Sequence, residues 1–131
     1  MASILVAEDD DDVRMVVMAG LHRAGHSCTA AANGHAAWEA AAAQTPDLLV
    51  SDIDMPVMDG LSLCAKLRSD PRLARVPVIL MSGSIIPGDE RMVRVDATSC
   101  LRKPFTLTEL RNCVARALTA GHQPGTTSTC S

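Results

Sequence analysis

Five short apolar runs, each followed by a stretch of helical spacing, predict an α/β domain: a doubly wound, five-stranded parallel sheet with helices on both faces. Three observations carry that expectation. The runs are compactly apolar, as strands buried on both faces are. The segments between them are long enough for crossover helices and carry their start and stop signals. Acids, a hydroxyl and a lysine stand directly after the runs, where an open parallel sheet puts its ligand site.

Ile4 to Ala7 is the first strand and ends at acids. From Val13, apolar residues at 13, 16, 17, 21 and 24 keep helical spacing, with Asp11 or Asp12 as N-cap and Gly25 as stop. Ser27 to Ala31 makes a second strand. Asn33-Gly34 is turn chemistry before an alanine-rich helix, HAAWEAAAAQ, that Pro46 closes. Leu48 to Val50 is the third strand, and Leu61 to Ser69 a helix broken by Pro71. Val76 to Met81 is the most β-like run. Ser82 to Ser84 and Pro87-Gly88 form a loop, and Asp89-Glu90 start a helix. Cys100 to Arg102 is the fifth strand. Thr106 and Glu109 have capping-box spacing, and Leu107, Leu110, Val114, Ala117 and Leu118 give the last helix its apolar face.

Composition bounds the function. The 131 residues, 47% hydrophobic, make one domain with its own core, and no apolar run is long enough for a membrane span. The start MASILVAEDD lacks a secretory signal, so a cytoplasmic location is expected. A net charge of −3 gives no footprint for nucleic acid, and Trp38 and Phe105 alone make no stacking platform. Cys28, Cys64, Cys100, Cys113 and Cys130 are scattered without a CxxC and read as reduced thiols, not as a disulfide or zinc framework. His22, His26, His35 and His122 lack ligand spacing and read as solvent-facing. Trp38 reads as a partly buried packing residue. GHQPGTTSTCS, residues 121–131, reads as a flexible tail after a domain spanning 1–120.

The run DIDMPVMDG sets three acids in nine residues behind a buried strand. A turn or a helix start needs one of them, and Asp59-Gly60 meets that need; Met55 and Met58 read as packing. On the predicted sheet, Glu8 and Asp9 after strand one join Asp52 after strand three, with Ser82 and Lys103 from strands four and five. Such acids cannot all stay ionised together unless a cation joins them. Oxygen ligands without His or Cys favour Mg²⁺, with Mn²⁺ as the alternative, over zinc. A lysine and a hydroxyl facing a metal-bound carboxylate make a place for an oxyanion, above all a phosphoryl group.

These residues resemble the receiver domains of two-component signalling, the CheY-like family within the flavodoxin-like folds, from about Ile4 to Leu118. The matching pieces are ILVAEDDDDVR, Asn33-Gly34, PDLLVSDIDMPVMDG, PVILMSG and LRKPF. The resemblance implies that Asp52 accepts a phosphoryl group from a phosphohistidine on a sensor histidine kinase or phosphotransfer protein. It implies Asp9 as a direct Mg²⁺ ligand, Glu8 acting through water, and the Asp54 backbone carbonyl as a further ligand. Ser82 would hydrogen-bond the phosphoryl group and Lys103 would pair with its charge, from a cis Lys103-Pro104 bond. Asp54 and Ser84 would flank the group and set its lifetime. Output would come from altered binding of a protein target, by a monomer or weak dimer, with no separate substrate turnover. Contacts near Arg14 and Pro104-Phe105 are implied for partners.

The sequence departs from the family pattern where many receivers carry Tyr or Phe before the lysine: here stands Cys100. Asp96-Ala97 replaces the frequent Gly-Ala. No output domain is read after the last helix, so a stand-alone receiver or a fragment of a larger kinase or regulator is expected, and Met1 with its short leader favours the former. Two other readings compete. A pseudo-receiver would keep the fold as a binding module without phosphorylation. A haloacid-dehalogenase-type phosphatase would use Asp52-Ile53-Asp54 as its DxD, but that motif belongs after the first strand. A flavin-binding fold would want a hydroxyl- and glycine-rich loop where this chain has acids.

Overall fold

The apolar runs become the parallel strands β1 (Ser3–Ala7), β2 (Ser27–Ala31), β3 (Leu48–Asp52), β4 (Val78–Ser82) and β5 (Ser99–Arg102) of a computed structural model that describes residues 2–84 and 89–130. Between them run α1 (Asp11–Arg23), α2 (Gly34–Ala43), α3 (Gly60–Ser69) and α4 (Glu90–Arg94), and α5 (Leu107–Ala120) follows β5. The loop expected at Pro87-Gly88 lies outside the described residues. The strand order is β2-β1-β3-β4-β5, extended by a sixth strand, and every pairing is parallel.

Alternation along the strands divides the core into two layers. Val6, Val50, Met81 and Leu101 face α1 and α5, where they meet Val17, Leu21, Leu110 and Val114. Leu5, Leu49, Leu80 and Cys100 face the other way, toward Leu63 and Leu67 of α3, Ala37 of α2 and Met92 of α4. The alanines of α2 let that helix lie close to the sheet. Trp38 packs partly buried on this layer, with the Lys66 ammonium 4.6 Å from its ring centroid.

Helix starts are set by side-chain caps. Asp10, not Asp11 or Asp12, caps α1: its carboxylate accepts from the Asp12 and Val13 amides. Asn33 caps α2 through the Ala36 amide, Asp59 caps α3 through Ser62, and Thr106 caps α5 through Glu109. The cap of α1 falls one residue early because the first helical turn can hold Asp11 and Asp12 favourably at its positive end.

Three expectations about the chain end are overturned. Residues 121–130 are no loose tail: Ser128–Cys130 forms β6, which pairs with β5. Cys113 and Cys130 are not free thiols but form a disulfide, their Cα atoms 5.8 Å apart. His122 is not solvent-facing: its side chain is 1% exposed and lies between Thr98 and Asp96. The sequence pattern of the segment is polar because β6 has an exposed face (Ser128, Thr129), so no apolar run announces it.

Asp96 has φ 54°, the left-handed region that glycine fills most easily. Its carboxylate repays the position by holding both His122 Nε2 and the Gly125 amide, each at 2.9 Å. Among the described residues the other non-glycine with positive φ is Val57, at 70° and 81% exposed, in a tight turn where the Met58 amide donates to Pro56 O at 2.8 Å. A β-branched residue is strained there and buries nothing in return. Val57→Gly is therefore expected to stabilise the fold by about 1 kcal/mol, strain relief exceeding the entropy that glycine adds to the unfolded chain. Urea denaturation would check it, and a lower midpoint would contradict the strain.

Candidate functional site

The carboxyl ends of β1, β3, β4 and β5 converge at one edge of the sheet. Glu8 and Asp9 follow β1, Asp52 ends β3, Ser82 ends β4, and Lys103 follows β5. Register holds these positions. Asp52 lies beside Met81, whose carbonyl accepts from the Ile53 amide at 3.0 Å. The Lys103 amide donates to Ser82 O at 3.0 Å, so the lysine and the serine are tied through backbone. The Glu8 amide donates to Ala31 O, and Arg14 Nη1 donates to Glu8 O at 2.8 Å, fixing the start of the acidic loop from β2 and α1.

Two glycines let backbone come close beneath the site. A Cβ on Gly60 would collide with Asp52 O, and one on Gly34 with Met58 O. The Gly60 amide also donates to Ile53 O at 2.8 Å. The loop after Asp52 is thereby folded back on the strand that carries the acid. Sequence reading took Asp59-Gly60 as turn chemistry; the close approach to Asp52 was not legible, although an Asp-Gly pair at a helix start was its signal.

Carboxylate oxygens of Glu8, Asp9 and Asp52 lie within 4.8 Å of one another. Glu8 is fully buried, Asp52 5% exposed, and Asp9 exposed. Lys103 Nζ donates to Glu8 Oε1 at 2.7 Å and lies 3.2 Å from Asp52 Oδ1. Burial pushes the Glu8 carboxyl up to about 7; the Lys103 hydrogen bond opposes this and neighbouring Asp52 adds to it. Burial works against the charge on Lys103, but Glu8 and Asp52 outweigh it and raise the ammonium pKa above its ordinary value. One lysine thus leaves the acid cluster undercompensated. The donors are hard oxygens with no nitrogen or sulfur among them, so the residues present fit a divalent cation such as Mg²⁺.

The structure therefore brings together Glu8, Asp9, Asp52 and Lys103. Ser82 is buried on the strand next to Asp52, its hydroxyl 3.0 Å from that of Ser84 and accepting from the Ser84 amide. Asp54 is exposed two residues beyond Asp52, and its charge helps raise the pKa of Arg91, after the larger effect of the Asp89 hydrogen bond. Sequence reading missed Arg91: it sits on α4, grips Asp89 at 2.8 Å and reaches Ser84 O at 3.4 Å. The Lys103-Pro104 bond is cis.

Residues 4–115 match the family model described as the response regulator receiver domain. The DNA-binding transcriptional regulator NtrC of Escherichia coli (strain K12) is 38% identical over 116 residues, which is 88% of this chain and 24% of NtrC. The transcriptional regulatory protein PrrA of Mycobacterium tuberculosis is 35% identical over 130 residues, 98% of this chain and 53% of PrrA. The chain thus spans well under two thirds of either relative. Among solved structures, the chemotaxis response regulator CheY4 of Vibrio cholerae superposes with TM-score 0.85 at 29% identity, covering 88% of this chain and 98% of CheY4. The receiver domain of sensor histidine kinase PA1611 from Pseudomonas aeruginosa, with a magnesium ion coordinated in its active site cleft, superposes with TM-score 0.83 at 30% identity, covering 90% of this chain and 98% of that one.

The raised Glu8 pKa makes stability depend on pH. The unfolded chain releases this proton near 4.5, whereas the folded protein keeps it to about 7. The folded state binds more protons in that window, so metal-free stability is greatest below it and falls as pH rises through it, by up to roughly 3 kcal/mol. Denaturation in EDTA at intervals from pH 5 to pH 8 should show the decline in wild type and a flatter profile in Glu8→Gln. Equal slopes in both proteins would assign the dependence elsewhere.

Proposed function

Because the chain belongs to the response regulator receiver domain family, we propose that it is a phosphoryl-accepting signalling switch with Asp52 as acceptor. The observation that carries this reading is the meeting of three carboxylates with Lys103 where four strands end. A turn or a helix cap would need one acid and no lysine bridging two buried carboxylates.

The donor is a phosphohistidine on a sensor histidine kinase or phosphotransfer protein. An Asp52 carboxylate oxygen bonds to phosphorus as the P–N bond breaks, and the imidazole leaves with the electron pair and takes a proton from solvent. The reaction demands in-line positioning and charge neutralisation more than a base. Asp9, Asp52, the Asp54 carbonyl and, through water, Glu8 would hold Mg²⁺, which would supply positive charge to the phosphoryl oxygens. Lys103 turns from Glu8 and Asp52 to a phosphoryl oxygen. The Ser82 hydroxyl leaves Ser84 and donates to another.

That last exchange is also the proposed output. Cys100 is buried in the layer facing α3 and α4, so no aromatic ring swings at this position. Instead, Ser84 is released on one side while its carbonyl is the acceptor of Arg91 on α4. A shift at Ser82 is passed to α4 through polar contacts, and a protein target reads the change. The protein acts in the cytoplasm and turns over no separate substrate.

Intact mass after incubation with acetyl phosphate tests the proposal. Wild type should gain one phosphoryl group only with Mg²⁺, and Asp52→Ala should gain none. No gain by wild type beside a labelled control receiver would instead support a binding module that is never phosphorylated. Lys103→Ala should slow the transfer roughly 100-fold, by loss of one preorganised charge. The same substitution should tighten Mg²⁺ binding, since the lysine competes for Glu8 and Asp52; weaker binding in calorimetry would contradict this. Asp54→Asn should change the lifetime of the phosphoryl group, and an unchanged decay rate would remove Asp54 from the site.

A further inference from the structure

We propose that Cys113 and Cys130 form a reversible thiol–disulfide modification site whose state decides whether residues 121–130 cover the edge of β5. The inference does not depend on phosphorylation of Asp52.

Without β6, β5 would be an edge strand with unpaired N–H and C=O groups open to another chain. In the structure that edge is covered by a short strand of this chain: Ser99, Cys100 and Leu101 pair with Ser128, Thr129 and Cys130, and the Ser128 amide donates to Thr98 O at 3.0 Å. Three residues of pairing are a marginal strand on their own.

The segment is tied to the body at its two ends and by two bonds between them, where the Gly125 amide donates to Asp96 Oδ1 at 2.9 Å and Thr127 Oγ1 donates to Ala97 O at 2.7 Å. At the first end, His122 Nδ1 lies 2.8 Å from Thr98 Oγ1 and its Nε2 lies 2.9 Å from Asp96 Oδ2. At the last, the disulfide joins Cys130 to α5 across a sequence separation of 17. Between the anchors a cavity of about 510 Å³ remains, lined by Thr98, Ala117, Gln123, Thr126 and Thr129 among others. The middle of the segment is therefore not packed down on α5, and the covalent bond is what closes its far end.

Thiol chemistry is directed to this pair. Among the described residues the free thiols are Cys28, Cys64 and Cys100. Burial raises all three: half-buried Cys28 lies above the ordinary thiol range, and buried Cys64 and Cys100 are pushed up to about 11, so each is a weakened nucleophile at neutral pH. Cys130 follows two exposed residues at the end of a short strand, so local fraying bares its sulfur. Cys113 is fully buried on α5 and waits for it.

In the opening direction, a thiolate of a dithiol reductant attacks the Cys130 sulfur, and Cys113 leaves as thiolate and is protonated. The second thiol of the reductant then displaces Cys130, so the reductant ends as a disulfide and the protein as two thiols. Closing reverses this with a low-molecular-weight disulfide, which takes up the two electrons and two protons as two thiols. A cross-link of this kind in a reducing compartment is a transient, redox-sensing one.

The test uses the full chain equilibrated with oxidised glutathione or with dithiothreitol, then alkylated under denaturing conditions and weighed. Oxidised protein should carry three alkyl groups as a monomer and reduced protein five, matching three free and two paired cysteines. Hydrogen exchange should then be at least tenfold faster at the Ser128 amide in the reduced protein, with faster exchange in peptides covering residues 98–102. Cys130→Ser, a near-isosteric change that removes the bond, should exchange like reduced wild type in both buffers. Five alkyl groups under oxidation, a cross-link between chains, or equal exchange in both states would each overturn the proposal.

Discussion

Everything at the functional edge follows from one electrostatic constraint: three carboxylates share a partly dry site with a single lysine. Glu8 and Asp52 are buried and Lys103 Nζ touches both. Buried charge without a full complement is costly, and it persists where function requires it. The lysine is sufficient to hold the acids together and insufficient to neutralise them. The remaining negative charge fits a divalent cation, and the lysine divides its contacts between two acids. A better-balanced site would be more stable.

Meeting that constraint requires accuracy in places far from the acids. Asp52 is held from one side by the β3–β4 register and from beneath by Gly60, where only a hydrogen can face the Asp52 carbonyl. Lys103 is placed by its own amide on Ser82 O, so the neighbours of Asp52 on β4 and β5 are tied together through backbone. The parallel ladder delivers charged groups from separate chain segments to one edge, and the two apolar layers keep the ladder rigid.

The five strands and the acids at their ends were legible because compact apolar runs and strand-end polar residues are local signals. Ser27–Ala31 is the same segment in sequence reading and in structure. Asp10 was missed as the cap of α1 because consecutive acids all satisfy the same local rule, and only backbone geometry selects one. The sixth strand left no local signal. Its three residues are held by pairing with β5 and by the disulfide to α5, and the chain before them by Asp96 and Thr98 on His122, all partners distant in sequence. Polar composition there suggested a loose end, although β pairing needs only backbone and one inward side chain, Cys130. Among the site residues, Glu8, Asp9, Asp52 and Lys103 were readable as a set; Arg91 was not, because a lysine or arginine on a helix is usually a solvated one.

Asp96 shows how the departures from the family pattern belong together. A glycine would fill its left-handed position without strain but could hold nothing. Aspartate accepts the strain, and its two oxygens take the Gly125 amide and the His122 ring. Arg68 of α3 then joins Asp96 O, Val76 O and His122, so the loop before β5, the loop before β4 and the chain end share one polar junction. The junction sits at the opposite end of β5 from Lys103, and β6 runs from it toward the site. The strand that leads into Lys103 is thus bordered by β4 on one side and by β6 on the other, and β6 bears on it through backbone pairing.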